Sequence, residues 1–110
     1  MSTYLFHLVH TPEALAKLLA EPEDRFAANE PIFKAAGGSL VGFWYGVGGS
    51  DVYVVGELPD DLVATTLVAR VTASGAFSSV STTRLLTTKE MVTALRGQVA
   101  SDYRPIGQAG

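Results

Sequence analysis

The stretch from residue 39 to residue 58 reads SLVGFWYGVGGSDVYVVGEL. Two runs rich in aromatic and β-branched residues flank Gly48, Gly49 and Ser50, and such runs are typical of β-strands. Glycine readily adopts the backbone angles that a tight turn needs. The pattern therefore predicts two adjacent antiparallel strands, joined as a hairpin.

A strand and two helical segments are predicted before this hairpin. Residues 4–10 form an aromatic and β-branched run, which reads as a strand. Thr11 and Pro12 follow it, and these residue types suit the N-cap and the first position of a helix. Pro22 should interrupt that helix, so a second helical segment is predicted over 23–36.

The chain after the hairpin repeats this alternation. Asp60 and Asp61 place negative charge at the start of a predicted helix that ends at Gly75. A last strand is predicted over 77–86, and a closing helix over 88–99 with its first threonine as N-cap. The predicted order is β-α-β-β-α-β, followed by one more helix.

This order predicts an α+β, ferredoxin-like subunit with a four-stranded antiparallel sheet and helices on one face. Side chains alternate between the two faces of a strand, and in the first strand both sets are largely apolar. One set comprises Tyr4, Phe6 and Leu8, and the other comprises Leu5, His7 and Val9. Because the helices cover only one face, we expect a second copy of the chain to cover the other.

The composition limits the classes of partner. The 110 residues are 47% hydrophobic and 17% charged, with a net charge of −3 and no cluster of Lys or Arg. Nucleic acid and anionic membranes are therefore disfavoured as partners. Cysteine is absent, which excludes disulfides, thiolate metal ligands and a cysteine nucleophile.

The length and the terminal sequences suggest the domain organisation. We expect one domain over residues 1–100 and a polar tail over 101–110. No basic segment leads into an apolar stretch near the first residue, and no run of about 18 apolar residues occurs. The expected location is the cytoplasm.

Several short motifs resemble those of a known family. They are Gly37-Gly38 before the second strand, the turn from Gly48 to Asp51, and the Glu57-Leu58-Pro59-Asp60-Asp61 segment. With the strand and helix around 83–95, they make residues 4–95 similar to GYD domain proteins of the dimeric α/β barrel superfamily. The family is named for a Gly-Tyr-Asp turn, and this chain has Ser50 where the tyrosine is expected. Any role of that tyrosine in the family therefore has no corresponding residue in this chain.

The resemblance implies a ferredoxin-like subunit that forms a dimeric α/β barrel through its sheet, in a family whose biochemical role is largely unassigned. The wider superfamily includes cofactor-free monooxygenases, ring cyclases, haem enzymes and simple ligand binders. A shared fold does not fix which of these activities a chain has.

Three titratable residues are the candidate catalytic set. His7, Tyr53 and Glu57 should share the sheet face away from the helices, where an imidazole, a phenol and a carboxylate could transfer protons. The alternative is structural, with each residue pairing across strands or across a dimer. His10 falls on the opposite face from His7 and is expected to be a solvated loop residue, so the two histidines should share no metal.

The candidate ligand contacts are Trp44, Tyr45 and Asp51. Because Phe43, Trp44 and Tyr45 are consecutive, either Trp44 or the Phe43 and Tyr45 pair lines the open face. Aromatic walls suit a planar apolar ligand, and they suit a dimer core equally well. Neither a metal nor a cofactor is expected.

Three functions remain open at this level. The first is a homodimer that binds a small apolar molecule between the sheet and the helices, or between the sheet and a partner. The second is a cofactor-free monooxygenase or cyclase that acts on a small aromatic substrate. The third is a purely structural or regulatory interaction module, whose sheet interface would be packed solid without a cavity.

Overall fold

A computed structural model of the chain describes residues 1–97 and 104–107. The strands are β1 (Ser2–His10), β2 (Ser39–Tyr45), β3 (Asp51–Leu58) and β4 (Phe77–Leu85). The helices are α1 (Pro12–Ala20), α2 (Arg25–Ala35), α3 (Asp61–Ala73) and α4 (Thr88–Leu95). The order β-α-α-β-β-α-β-α confirms the predicted succession, with the first helical region split in two. In the described residues, every helix is too short or too polar to cross a membrane.

The four strands form one antiparallel sheet in the order β2-β3-β1-β4. The hairpin of β2 and β3 turns through Gly48 and Gly49, whose φ angles of 107° and 86° lie in the left-handed region. Strands β1 and β3 are central, whereas β2 and β4 form the edges. The α+β, ferredoxin-like subunit predicted from the sequence is confirmed.

The core lies between the helices and one face of this sheet. Every second residue of β1 and β3 is buried, which is the pattern of a strand covered on one side. Phe33 of α2 and Ala64 of α3 close the core from the helix layer. The buried hydrophobic side chains of the sheet are those of Tyr4, Phe6, Leu8, Leu40, Val52, Val54 and Leu58.

Phe33 reaches the sheet at a glycine. Its ring lies over Gly56 of β3, where a β-carbon would overlap the ring. The same ring meets Phe6 edge to face, with centroids 6.2 Å apart. The absence of a side chain at position 56 therefore allows α2 to pack closely on the sheet.

The helices begin at polar caps. Thr11, Asp24 and Asp60 accept hydrogen bonds from backbone N–H groups in the first turns of α1, α2 and α3. The prediction of Thr88 as the cap of α4 was wrong. Thr87 is the cap instead.

The capping geometry of α4 explains this one-residue shift. The Thr87 hydroxyl accepts from the Glu90 N–H at 3.1 Å, and the Glu90 carboxylate accepts from the Thr87 N–H at 2.9 Å. This reciprocal pair fixes Thr87 as the last non-helical residue. Helix α4 ends at Leu95, and Val99, the predicted end, lies outside the described residues. Most of the predicted tail also lies outside them.

Candidate functional site

The face of the sheet opposite the helices carries a cluster of four polar and aromatic side chains. Strand register places His7 beside Tyr53, and Tyr53 beside Trp44. The rings of His7 and Tyr53 are stacked, with centroids 4.6 Å apart and planes 2° from parallel. His7 Nε2 lies 2.9 Å from Asp51 Oδ1. The structure thus brings four of the predicted site residues together on one surface, the open face.

The hydrogen bond to Asp51 orients the His7 ring. A carboxylate only accepts hydrogen bonds, so Nε2 donates and Nδ1 is left as an acceptor in the neutral ring. The side chains of His7 and Asp51 are 38% and 49% exposed, so the pair remains accessible in the single chain. The arrangement can hold an imidazole in one tautomer for proton transfer, or it can simply order the surface.

Trp44 forms the aromatic edge of this cluster. Its indole lies over Gly42, where a β-carbon would overlap the ring, and 55% of the residue is exposed. The two possibilities left open by the sequence are thereby resolved. Trp44 faces the open side, whereas Phe43 and Tyr45 face the helices.

Two predicted site residues lie elsewhere. Glu57 is on the open face but pairs with Thr3 and Ser39, four residues along β3 from Tyr53. That separation is about 13 Å at the usual rise of a strand. Tyr45 lies on the helix side near His10, with ring centroids 6.2 Å apart, and burial raises the pKa of its phenol. Neither residue joins the cluster around His7.

A second site lies on the helix side of the sheet. A cavity of about 740 Å³ separates α1, α2 and α3 from the strands beneath them. Its walls are mainly apolar, and charged side chains stand where it meets the surface. The apolar walls include Phe6, Leu8, Phe33, Phe43, Val52, Val54, Leu67, Val68, Val71, Phe77 and Val80, and the charged edge includes Lys17, Glu21, Glu23, Arg25 and Arg70.

The helix layer leaves this space because few of its side chains reach the sheet. Helix α1 has no fully buried residue, and α3 contributes only Ala64. Leu19 and Leu62, two of the larger apolar residues of these helices, are 81% and 79% exposed. Interiors are normally filled at close to crystal density, so this open space between the helices and the sheet is a candidate binding site.

His10 lines the cavity at the end of β1. Its ring is stacked on Phe77, with centroids 4.9 Å apart. Both ring nitrogens are buried, and neither makes a hydrogen bond within the described residues. The expectation that His10 is a solvated loop residue was therefore wrong.

Burial lowers the pKa of His10, because the charged imidazolium loses its hydration there. The carbonyl of Ala76 acts in the opposite direction but does not meet hydrogen-bond geometry with the ring. That carbonyl already accepts from the Thr11 N–H at 2.9 Å and lies 3.4 Å from the Thr11 hydroxyl. His10 is thus a neutral, unpartnered polar group in an apolar wall.

The sequence contains a signal that could have identified this role. His10 has the same strand parity as Tyr4, Phe6 and Leu8, which form the core face. A histidine that continues an apolar face is expected to be buried, whereas its position beside Thr11 and Pro12 suggested a loop. The alternation of β1 continues through His10 although its pairing with β4 shifts there, and this continuation decides its burial.

In the described part of the chain, no group of three or more His, Cys, Asp or Glu side chains lies close enough together to hold a metal ion. His7 and His10 lie on opposite faces of β1, as their spacing predicts.

Comparison with known proteins identifies the family of this chain. A search of curated proteins gives no match. A model of the GYD domain matches residues 4–95, which include α1 to α4, β2 to β4 and all of β1 except its first two residues. The chain therefore belongs to the GYD domain family.

Proposed function

We propose that this protein binds a small, largely apolar molecule in the cavity between its helices and its sheet, and that it works as a homodimer joined through the open face. The observation that carries the proposal is the cavity of about 740 Å³ with mainly apolar walls. Ligand pockets commonly have volumes of about 300 to 1,000 Å³, apolar walls and a few polar groups.

The chemistry of the walls supports an aromatic or alicyclic ligand. Four phenylalanines contribute to the lining, and their rings offer flat apolar surfaces for stacking or edge contacts. The charged side chains stand at the surface end, where water still solvates them. A molecule that enters past them would exchange water for an apolar surrounding, which is the favourable step in such binding.

The open face supports the dimer. Its apolar centre consists of Leu5, Val9 and Val55. Two aromatic residues lie on the same face, Trp44, which is 55% exposed, and Tyr53, which is 38% exposed. Two such faces packed together would remove this surface from water. The helix-side cavity does not need the partner, so ligand binding and dimerisation can be tested separately.

A pair of alanine variants tests the cavity. Ala14 of α1 lines it, whereas Ala16 of the same helix is exposed and does not. The neutral fluorescent dye Nile red serves as the probe, because its emission rises in an apolar surrounding. We expect saturable binding to the wild type, a loss of about ten-fold or more in affinity for Ala14→Phe, and unchanged affinity for Ala16→Phe.

Two results would overturn the proposal. One is the absence of saturable binding of Nile red or of smaller aromatic hydrocarbons to the folded wild type. The other is equal binding to both variants, which would place the probe outside the cavity. Light scattering during size-exclusion chromatography tests the dimer independently, and a monomeric mass at all concentrations would refute that half.

A second candidate function is catalysis at the open face by a cofactor-free monooxygenase or cyclase. The hydrogen bond between His7 and Asp51, beside the rings of Tyr53 and Trp44, favours it. In this candidate Asp51 replaces the predicted Glu57 as the carboxylate beside His7, because Glu57 lies too far along β3. His7→Ala should abolish turnover of a small aromatic substrate and leave the fold intact. Unchanged turnover would remove this candidate.

A further inference from the structure

We infer that the molecule bound in the helix-side cavity is an amphipathic acid, whose apolar body fills the cavity and whose carboxylate lies at the cavity edge beside Lys17 and Arg70. The inference rests on the proposed function, because it concerns the ligand of the same cavity. It adds the charge and the orientation of the ligand to a site that otherwise offers apolar contact.

The argument begins with the distribution of charge around the cavity. Three basic and two acidic side chains stand at its edge, namely Lys17, Arg25, Arg70, Glu21 and Glu23. The whole chain has a net charge of −3, so this edge is locally positive on a protein that is negative overall. The local excess of positive charge favours an anion at this opening over a cation.

Ion pairing within the protein neutralises one of the three basic groups. The Arg25 guanidinium lies 2.5 Å from the Glu23 carboxylate. Among the described residues, the side chains of Lys17 and Arg70 make neither an ion pair nor a hydrogen bond. Glu21 lies one turn after Lys17 on α1 and is not paired with it. Two unpaired cations therefore stand at the edge with a single unpaired carboxylate.

Lys17 lies on the face of α1 that closes the cavity. Ala14, Leu18 and Glu21 line the cavity as well, and together with Lys17 they have the spacing of one helix face. A lysine can lay its methylene groups along apolar surface and keep its ammonium group in water. This placement lets the ammonium group meet a charge at the solvent end of a ligand.

Arg70 belongs to a helix that is joined to the start of α1. The Thr11 N–H, just before α1, donates to the carbonyl of Ala76, three residues after α3, at 2.9 Å. Arg70 lies in the last turn of α3 and lines the same cavity as Lys17. A guanidinium group can donate two parallel hydrogen bonds to a carboxylate. The cavity thus has an unpaired basic side chain on each of two helices that meet at one end.

The position of these charges sets the orientation of the ligand. A carboxylate deep in the apolar part would lose its hydration without compensation. At the edge it keeps contact with water and gains two nearby cations. The apolar body of the ligand therefore points inward, and the acidic group stays at the opening.

The basic side chains also have a possible structural role. Lys17 and Arg70 lie in the last turns of their helices, where positive charge interacts favourably with the helix dipole. Lys34 has the same position on α2 and does not line the cavity. It therefore provides a matched control, with the same effect on a helix end and no contact with the ligand.

Three naphthalene derivatives separate charge from shape. Near neutral pH 2-naphthoic acid is an anion, 2-naphthamide has nearly the same shape without charge, and 2-naphthylmethylamine is a cation. We would measure the affinity of each for the wild type, for the double variant Lys17→Gln with Arg70→Gln, and for Lys34→Gln. All three substituted side chains are exposed, so the variants are expected to fold.

The expected result is a preference for the naphthoate over the naphthamide that depends on the two cations at the edge. The ratio of the two affinities should fall by about five-fold in the double variant, which is the size expected for two solvent-exposed charge pairs. It should be unchanged in Lys34→Gln. The preference should also shrink between about 0.01 M and about 0.1 M salt, because the screening length falls from about 30 Å to about 10 Å.

The outcomes separate this inference from the function on which it rests. If neither Nile red nor any naphthalene derivative binds to the folded wild type, the binding function itself fails. If they bind but the naphthoate is not preferred, or its preference is the same in the double variant, the cavity binds apolar molecules and the inference about the acid is wrong.

Two further results would overturn the inference. An equal loss of preference in Lys34→Gln would show an effect of overall charge, and tighter binding of the amine than of the naphthoate would assign the polar end of the ligand to the carboxylates. If the double variant does not fold, the single variants Lys17→Gln and Arg70→Gln are compared with Lys34→Gln by the same criteria.

Discussion

Replacing Gly56 by alanine should destabilise the protein because of one contact. A β-carbon at this position would overlap two ring atoms of Phe33 and crowd a third, and that residue is only 7% exposed. The ring also packs edge to face against Phe6, so it cannot turn away without breaking that contact. Accommodation requires either that the Phe33 ring gives up this contact and shifts into the cavity that it lines, or that α2 moves away from the sheet.

The size of the effect follows from two opposing terms. Adding a methyl group to a filled core costs about 1 to 3 kcal/mol, and this overlap with a buried ring belongs near the upper end of that range. Alanine loses less backbone entropy than glycine on folding, and this difference offsets the cost by about 0.5 to 1 kcal/mol. The net loss in the free energy of unfolding is about 2 kcal/mol, or roughly 8 °C in Tm for a chain of this size.

Urea unfolding at a fixed protein concentration measures this loss, because a dimer's stability depends on concentration. The double variant Gly56→Ala with Phe33→Leu supplies the control, since a smaller side chain at position 33 makes room for the new methyl group. The loss in the free energy of unfolding of the double variant should be smaller than the sum of the losses of the two single variants by about 1 kcal/mol or more. An unchanged stability of Gly56→Ala, or strict additivity in the double variant, would refute the contact-based reasoning.

Three further predictions concern acid stability, the open face and α4. Because the pKa of His10 is lowered in the folded protein, the His10 imidazole binds a proton more readily in the unfolded chain. The free energy of unfolding should therefore be highest above about pH 6.5, and it should fall as the pH drops from there towards the pKa of His10 in the folded protein. Urea unfolding between pH 7.5 and 5 should show a weaker decline in His10→Phe than in the wild type, and equal declines would contradict the assignment. Trp44 is the only tryptophan in the sequence, so the fluorescence of the protein reports on the open face. Its emission should shift to longer wavelength when a dimer joined through that face dissociates on dilution. A constant emission spectrum across a measured change in mass would place the interface elsewhere. Thr87→Ala should weaken the first turn of α4 by about 1 kcal/mol, because it removes the hydroxyl that accepts from the Glu90 N–H. An unchanged free energy of unfolding in urea would count against the capping pair.

The strands and most helix ends could be predicted because local chemistry determines them. The Gly48-Gly49 turn fixes the hairpin, and Thr11 and Asp60 cap their helices as their side chains allow. The error at α4 has a local cause too. Two threonines stand next to each other, and only the spacing of Thr87 to Glu90 completes a capping box.

The site was less predictable because it depends on distances across the fold. Strand parity correctly places His7, Tyr53 and Glu57 on one face, but parity does not measure how far apart residues lie along a strand. The pairing of β1 with β3 determines that distance. It places Asp51, and not Glu57, within hydrogen-bond reach of His7. The helix-side cavity has no local pattern at all, since it results from side chains of several helices that fail to meet above the sheet.

The two candidate sites share a strand but not a surface. His7 and His10 belong to β1, yet one side chain reaches the open face and the other reaches the helix-side cavity. His7 is partly exposed and bonded to Asp51, whereas the ring nitrogens of His10 are buried and unpaired, so the stability of each variant is measured before ligand binding and turnover are compared. A ligand effect confined to His10 variants therefore identifies the cavity as the binding site. An effect on turnover confined to His7 variants identifies the open face as catalytic, and the pair of histidines acts as a built-in control for both functions.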